Sequence, residues 1–122
     1  MCGFRAMKLF SSHPVAIQQG DEAMFSDFEN GGDMWTGSGS RERRKPVLFE
    51  QTFRSTPVVM VTISLWDVDT SAAVRAEVKA ENVTPEGFEL VFRTWADTRV
   101  ARLRLGWTAI GDMRNEDDWD VI

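Results

Sequence analysis

The sequence predicts an all-β protein, a six-stranded antiparallel β-sandwich. Three observations carry that expectation. Successive segments alternate apolar and polar side chains with a period of two, which puts one strand face in a core and the other in water. The stretches between them carry turn chemistry. No apolar pattern of helical period runs far enough to specify a helix.

In chain order, residues 1–14 read as an arm that ends at His13-Pro14. "PVAIQQG" opens a strand with Val15 and Ile17 on one face. "NGGDMWTGSGS" (30–40) is rich in glycine and serine and reads as a long loop, in which Trp35 argues against disorder. "PVLFEQTF" (46–53) alternates Val47, Phe49 and Phe53 as the next strand. "PVVMVTISLW" (57–66) is β-branched and apolar on both faces, as an interior strand is. "AAVRAEVKAENV" (72–83) sets Val74, Ala76, Val78 and Ala80 against Arg75, Glu77, Lys79 and Glu81. "FELVFRTW" (88–95) sends Phe88, Leu90 and Phe92 inward and Glu89, Val91, Arg93 and Trp95 outward. "VARLRLGWTAI" (100–110) sets Ala101, Leu103, Leu105, Trp107 and Ala109 against Arg102 and Arg104. "DVDTS" and "WADTR" offer side-chain-to-backbone turns, and "TPEGF" a proline turn with Gly87 where φ is expected to be positive. The organisation expected is therefore an arm (1–14), a sandwich (15–111) and an acidic tail (112–122).

Composition bounds the function. The chain has 122 residues, 43% hydrophobic, which suits one domain with its own core. Cys2 is its single cysteine, so no internal disulfide is available. No apolar run reaches the roughly 18 residues a spanning helix needs, and "MCGFRAMKLF" carries neither the apolar run nor the cleavage site of a signal peptide. The formal net charge is −5, and from Gly111 onward five carboxylates against Arg114 account for −4. A near-neutral body gives no electrostatic hold on a polyphosphate chain, so nucleic acid is not expected as a partner. "RERRK" (41–45) is the one basic run, and it reads as a solvated strand entrance or a contact between subunits.

Chemistry is equally bounded. His13 is the only histidine and lies in the arm, so catalytic triads and zinc sites have no histidine to use. Asp67-x-Asp69 reads as an Asx turn rather than a calcium or catalytic pair. No enzyme activity, cofactor or metal is expected. "NVT" (82–84) matches a glycosylation acceptor but reads as a strand end and turn. Trp119 and Ile122 in the tail are candidates for docking on a partner. Among the aromatics, Trp107 shares the parity of Leu103 and Leu105 and reads as core, whereas Trp95 shares that of Glu89 and Arg93. Trp95 and Arg75 are thus both expected at the outer surface or at a boundary between subunits.

The ordered set Phe49, Phe53, Pro57-Val58-Val59, Ile63-Ser64, Asp67-Val68, Arg75, Gly87-Phe88, Thr94-Trp95 and Trp107 resembles the H-type lectin domain, the family of the snail agglutinin and of the C-terminal half of the discoidins. The similarity is clear over residues 45–111. It implies a six-stranded sandwich that assembles as a trimer or as stacked trimers. It also implies metal-free sites for galactose or N-acetylgalactosamine between subunits, and hence a location outside the cell or on a cell or particle surface. In that pattern a loop acid accepts from sugar hydroxyls, an arginine donates, and the tryptophan lines the apolar face of the ring. By position, Arg75 and Trp95 fill the last two roles. Ser38 takes the place of the loop acid, Ala96 that of the residue after the tryptophan, and Ala101 that of a further aromatic. A charge-assisted acceptor is worth about 1.5–3 kcal/mol, so its loss weakens binding about 10–200-fold unless Asp33 or Asp97 substitutes. The competing expectation is a trimeric interaction module, a spike, fibre or assembly component, with Arg75 and Trp95 as interface anchors.

Overall fold

The computed structural model describes residues 3–10 and 13–114; Cys2, Trp119 and Ile122 lie outside them. Six strands are present: β1 (Val15–Phe25), β2 (Arg41–Leu48), β3 (Val58–Val68), β4 (Ala76–Glu81), β5 (Gly87–Thr94) and β6 (Val100–Asp112). They form two antiparallel three-stranded sheets in the orders β1-β6-β3 and β2-β5-β4. Two antiparallel sheets packed face to face are the sandwich that the alternation predicted.

The central strands β5 and β6 supply the core. Phe88, Leu90 and Phe92 face Leu103, Leu105, Trp107 and Ala109, all buried. Aromatic contacts gather at both ends of the layer. Phe49 packs edge-on to Phe53 at 5.0 Å and tilted on Phe88 and Trp107 at 5.6 and 5.8 Å. Phe92 meets Phe25 at 5.6 Å and Trp66 at 5.9 Å. Such offset and edge-on pairs suit the ring quadrupole and stabilise beyond their buried area. Gly20 pairs with Trp107 in the β1–β6 ladder, and a Cβ there would stand 2.8 Å from the indole.

Several expectations need correction. The second strand runs over 41–48, not 46–53, so "RERRK" is the strand itself. Phe49 and Phe53 lie beyond its end yet still plug the core. Pro46 is tolerated because β2 is an edge strand. The segment expected to be an interior strand, β3, is an edge strand, and Val58, Met60 and Ile63 are about half exposed. The loop at 30–40 carries the end of a short helix, α1 (Asp27–Asn30), and a second, α2 (Asp33–Thr36). Val74 is exposed, because β4 begins two residues later. Val91 points outward as expected but is fully buried, since Arg44 and Lys79 flank it in register and their stems cover it. Gly87 has no positive φ; its side chain is excluded because a Cβ would collide with Val47 O.

The two outer faces differ sharply. On the first sheet, Ile17, Ile110 and Val58 stand side by side in register, with Met60 and Val15 adjoining, an apolar patch open to solvent. On the second sheet the outward row is charged. Arg93 bonds Glu42, Glu77 and Glu81; Arg44 bonds Glu42 and Glu81; Lys79 pairs with Glu81 at 2.9 Å.

A core truncation at the centre of this layer is expected to be costly. Phe92→Ala should destabilise the fold by about 3–5 kcal/mol, measured by denaturant unfolding.

Candidate functional site

At one end of the sandwich three chain segments converge: the loop before β2, the residues before β4 and the turn after β5. Arg41, Thr94 and Ala76 form one cross-strand row. One residue further out, the same register places Ser40, Trp95 and Arg75 as neighbours beyond the ladder. One step inward from that row lie Glu42, Arg93 and Glu77.

These segments are held by buried polar contacts. The Arg41 side chain turns inward, 8% exposed. It donates from Nε to Gly39 O at 2.9 Å, from Nη1 to Asp33 O and Met34 O, and from Nη2 to Ala96 O at 3.3 Å. Gly39 N also donates to Ala96 O at 2.8 Å. Ala96 adopts φ 59°, the left-handed region that alanine enters at a cost, and these bonds to its carbonyl hold it there. On the other flank Thr94 Oγ1 donates to Arg75 O, while Thr98 Oγ1 accepts from Arg75 N and donates to Ala73 O. Both threonines are fully buried, so their hydroxyls are satisfied inside the fold.

The result is an open groove of about 370 Å³ lined by Ser40, Glu42, Glu77, Arg93 and Trp95, together with Arg41 and Thr94. Trp95 is 41% exposed, a large apolar side chain in contact with water. The charges here are tightly engaged. The hydrogen bond from Arg44, with Arg93 adding to it, holds the Glu42 carboxyl below its ordinary range. Lys79, then Arg44 and Arg93, bring Glu81 down to about 2.

The sequence-derived candidates divide. Trp95 and Arg75 are both exposed, as parity implied, and each lies one residue outside the paired ends of β5 and β4; Trp95 lines the groove and Arg75 does not. Arg75 Nη1 lies 3.9 Å from Asp97 Oδ1, an open pair on the rim. Ser38 and Ala96 are exposed, and the Gly39–Ala96 bond brings their two loops together. Ala101 is not part of this group: it is buried on the inward face of β6. Asp33 gives its carboxylate to Arg43 at 2.6 Å, beside the buried Asp27 that Arg43 also binds. Arg99 stacks over Trp35 at 4.2 Å, and Phe28 meets the same ring edge-on at 5.3 Å, a second aromatic cluster. Sequence reasoning missed Ser40, Glu42, Glu77 and Arg93. Parity had placed Glu77 and Arg93 outward, but only the strand register brings them beside Trp95.

The family model for the H-type lectin domain matches residues 44–110. A protein of Fuscovulum blasticum described as "ATP synthase subunits region ORF 7" is 50% identical over 107 residues, covering 88% of this chain and 93% of that protein. Discoidin-2 of Dictyostelium discoideum is 36% identical over 76 residues, 62% of this chain and 30% of the discoidin. The solved structure of wild-type discoidin II from the same organism superposes with a TM-score of 0.69 at 29% identity, covering 85% of this chain and 40% of that one. The chain thus spans less than half the length of the discoidins it matches.

Two outcomes test the site's construction. Arg41→Met removes a donor from four carbonyls, of which Asp33 O and Ala96 O keep a backbone partner, and should cost about 2–4 kcal/mol in denaturant unfolding. The lowered carboxyls of Glu42 and Glu81 contribute stability above the ordinary carboxylate pKa of about 4.3, lost as pH falls through their lowered values, about 2 for Glu81. Unfolding midpoints should therefore be level from about pH 8 to 5 and fall steeply below about 4.3.

Proposed function

The chain belongs to the H-type lectin domain family, and we propose that it binds glycans of the galactose or N-acetylgalactosamine type at the Trp95 groove. The site is completed by a neighbouring protomer of a trimer. The observation that carries this reading is the exposed indole of Trp95 in one groove with Glu42, Glu77 and Arg93. A pyranose offers a C–H face that packs on an indole, and hydroxyls that pair with planar charged groups. The groove supplies both kinds of surface in one place. The reading is one of binding without chemistry, with no metal or cofactor required.

The oligomer is supported by the patch of Val15, Ile17, Val58, Met60 and Ile110 on the first sheet. Contiguous apolar surface of this kind favours contact with another protein surface. A second copy of the chain is the occupant this reading assigns to it, leaving the charged outer face of the second sheet in water. The same patch also serves the rival reading, a trimeric interaction or structural module whose groove holds no sugar. The two differ in what Trp95 does.

Trp95→Ala should weaken binding of N-acetylgalactosamine, followed by titration calorimetry, at least about 10-fold while sedimentation shows an unchanged assembly. Loss of the assembly with no effect on sugar affinity would favour the module. Met60→Asp should shift the sedimentation coefficient to that of a monomer.

A further inference from the structure

We infer that Glu77 is the hydroxyl acceptor of the Trp95 groove, doing from β4 what Ser38 is unable to do from the loop, and that it restricts the ligand to neutral sugars. The inference rests on the glycan-binding reading above and adds the residue that selects the ligand.

Three carboxylates surround Arg93, but they are not equivalent. Glu42 commits both oxygens to arginines: Oε1 accepts from Arg93 Nε at 2.6 Å and Oε2 from Arg44 Nε at 2.8 Å. Glu81 is likewise committed, with Oε1 on Arg44 and Oε2 on Lys79 and Arg93. Glu77 is different. Among the described residues every contact it makes uses Oε1, at 3.0 Å from Arg93 Nη1 and 3.8 Å from Lys79 Nζ. Its Oε2 is uncommitted, its side chain is 49% exposed, and it lines the groove with Trp95. Glu81, further along β4, does not line it.

An acceptor of this kind is pre-arranged. Arg93 fixes the carboxylate through one oxygen, so the other oxygen meets a ligand hydroxyl without the cost of ordering a long side chain. The register fixes the spacing, because Glu77 and Arg93 are cross-strand partners and Trp95 follows Arg93 by two residues, just past the end of β5. A ring resting on Trp95 therefore has the acceptor Glu77 in the same groove, with Arg75 outside its lining. The same arrangement excludes anions. A uronic or sialic acid carboxylate entering here meets Glu77 and Glu42, while Arg93 already has three carboxylate partners.

The test uses the intact chain and titration calorimetry with N-acetylgalactosamine and, separately, galacturonic acid. Glu77→Gln should weaken N-acetylgalactosamine binding about 10–100-fold and make galacturonic acid binding measurable. Glu89→Gln removes an equal charge from the same sheet face, outside the groove, and should change either affinity less than about 2-fold. Thermal melts of both variants report whether the fold persists. If Glu77→Gln binds N-acetylgalactosamine as tightly as the parent while Trp95→Ala does not, the Glu77 assignment is overturned and the glycan reading stands. If Trp95→Ala binds as the parent does, or the parent binds no sugar, both are overturned.

Discussion

The guanidinium of Arg41 is the contact on which the functional end of this molecule depends. A planar cation with five donors is expensive to remove from water, and it is retained only where acceptors surround it. Here the acceptors are backbone carbonyls from three places: α2, the glycine loop and the turn after Trp95. None of those segments has a ladder to hold it. Without the central cation the loop before β2 and the turn after β5 would be joined by the Gly39–Ala96 backbone bond alone. Trp95 would then remain exposed but lose its fixed relation to Ser40 and Arg75.

Much of the fold was legible from parity alone. Strand side chains alternate strictly, so β5 and β6 announced which tryptophan is core and which is surface, and both assignments hold for Trp107 and Trp95. What hid from the sequence was β2. Its inward side carries Arg41, Arg43 and Lys45, and hydropathy reads three cations as solvent. Their partners are distant in sequence: Asp27 for Arg43, Glu22 and Ala23 O for Lys45, and carbonyls for Arg41. Inward charges on an edge strand also discourage another chain from pairing there. The groove acids were hidden for a related reason. Glu42 and Glu77 stand beside Trp95 only through cross-strand register, which a single strand does not encode.

The charged side chains of the sandwich are unevenly distributed between its two outer faces. The charged lattice on the second sheet is nearly self-neutralising: Arg44, Lys79 and Arg93 answer four glutamates. Exposed pairs of this sort add little stability individually, yet as a network they define a hydrated surface that is poorly suited to burial in an interface. The opposite sheet presents apolar side chains instead. The two outer faces thus differ in kind, one charged and hydrated, the other apolar and exposed.

Ala96, beside Trp95, holds a left-handed backbone. Branched side chains are all but barred from that conformation, whereas glycine, asparagine, aspartate and histidine enter it readily. The position next to the aromatic platform is therefore open to only a narrow repertoire of replacements. Ser38 and Arg75, exposed at the same end of the sandwich, have no positive φ and are under no such filter.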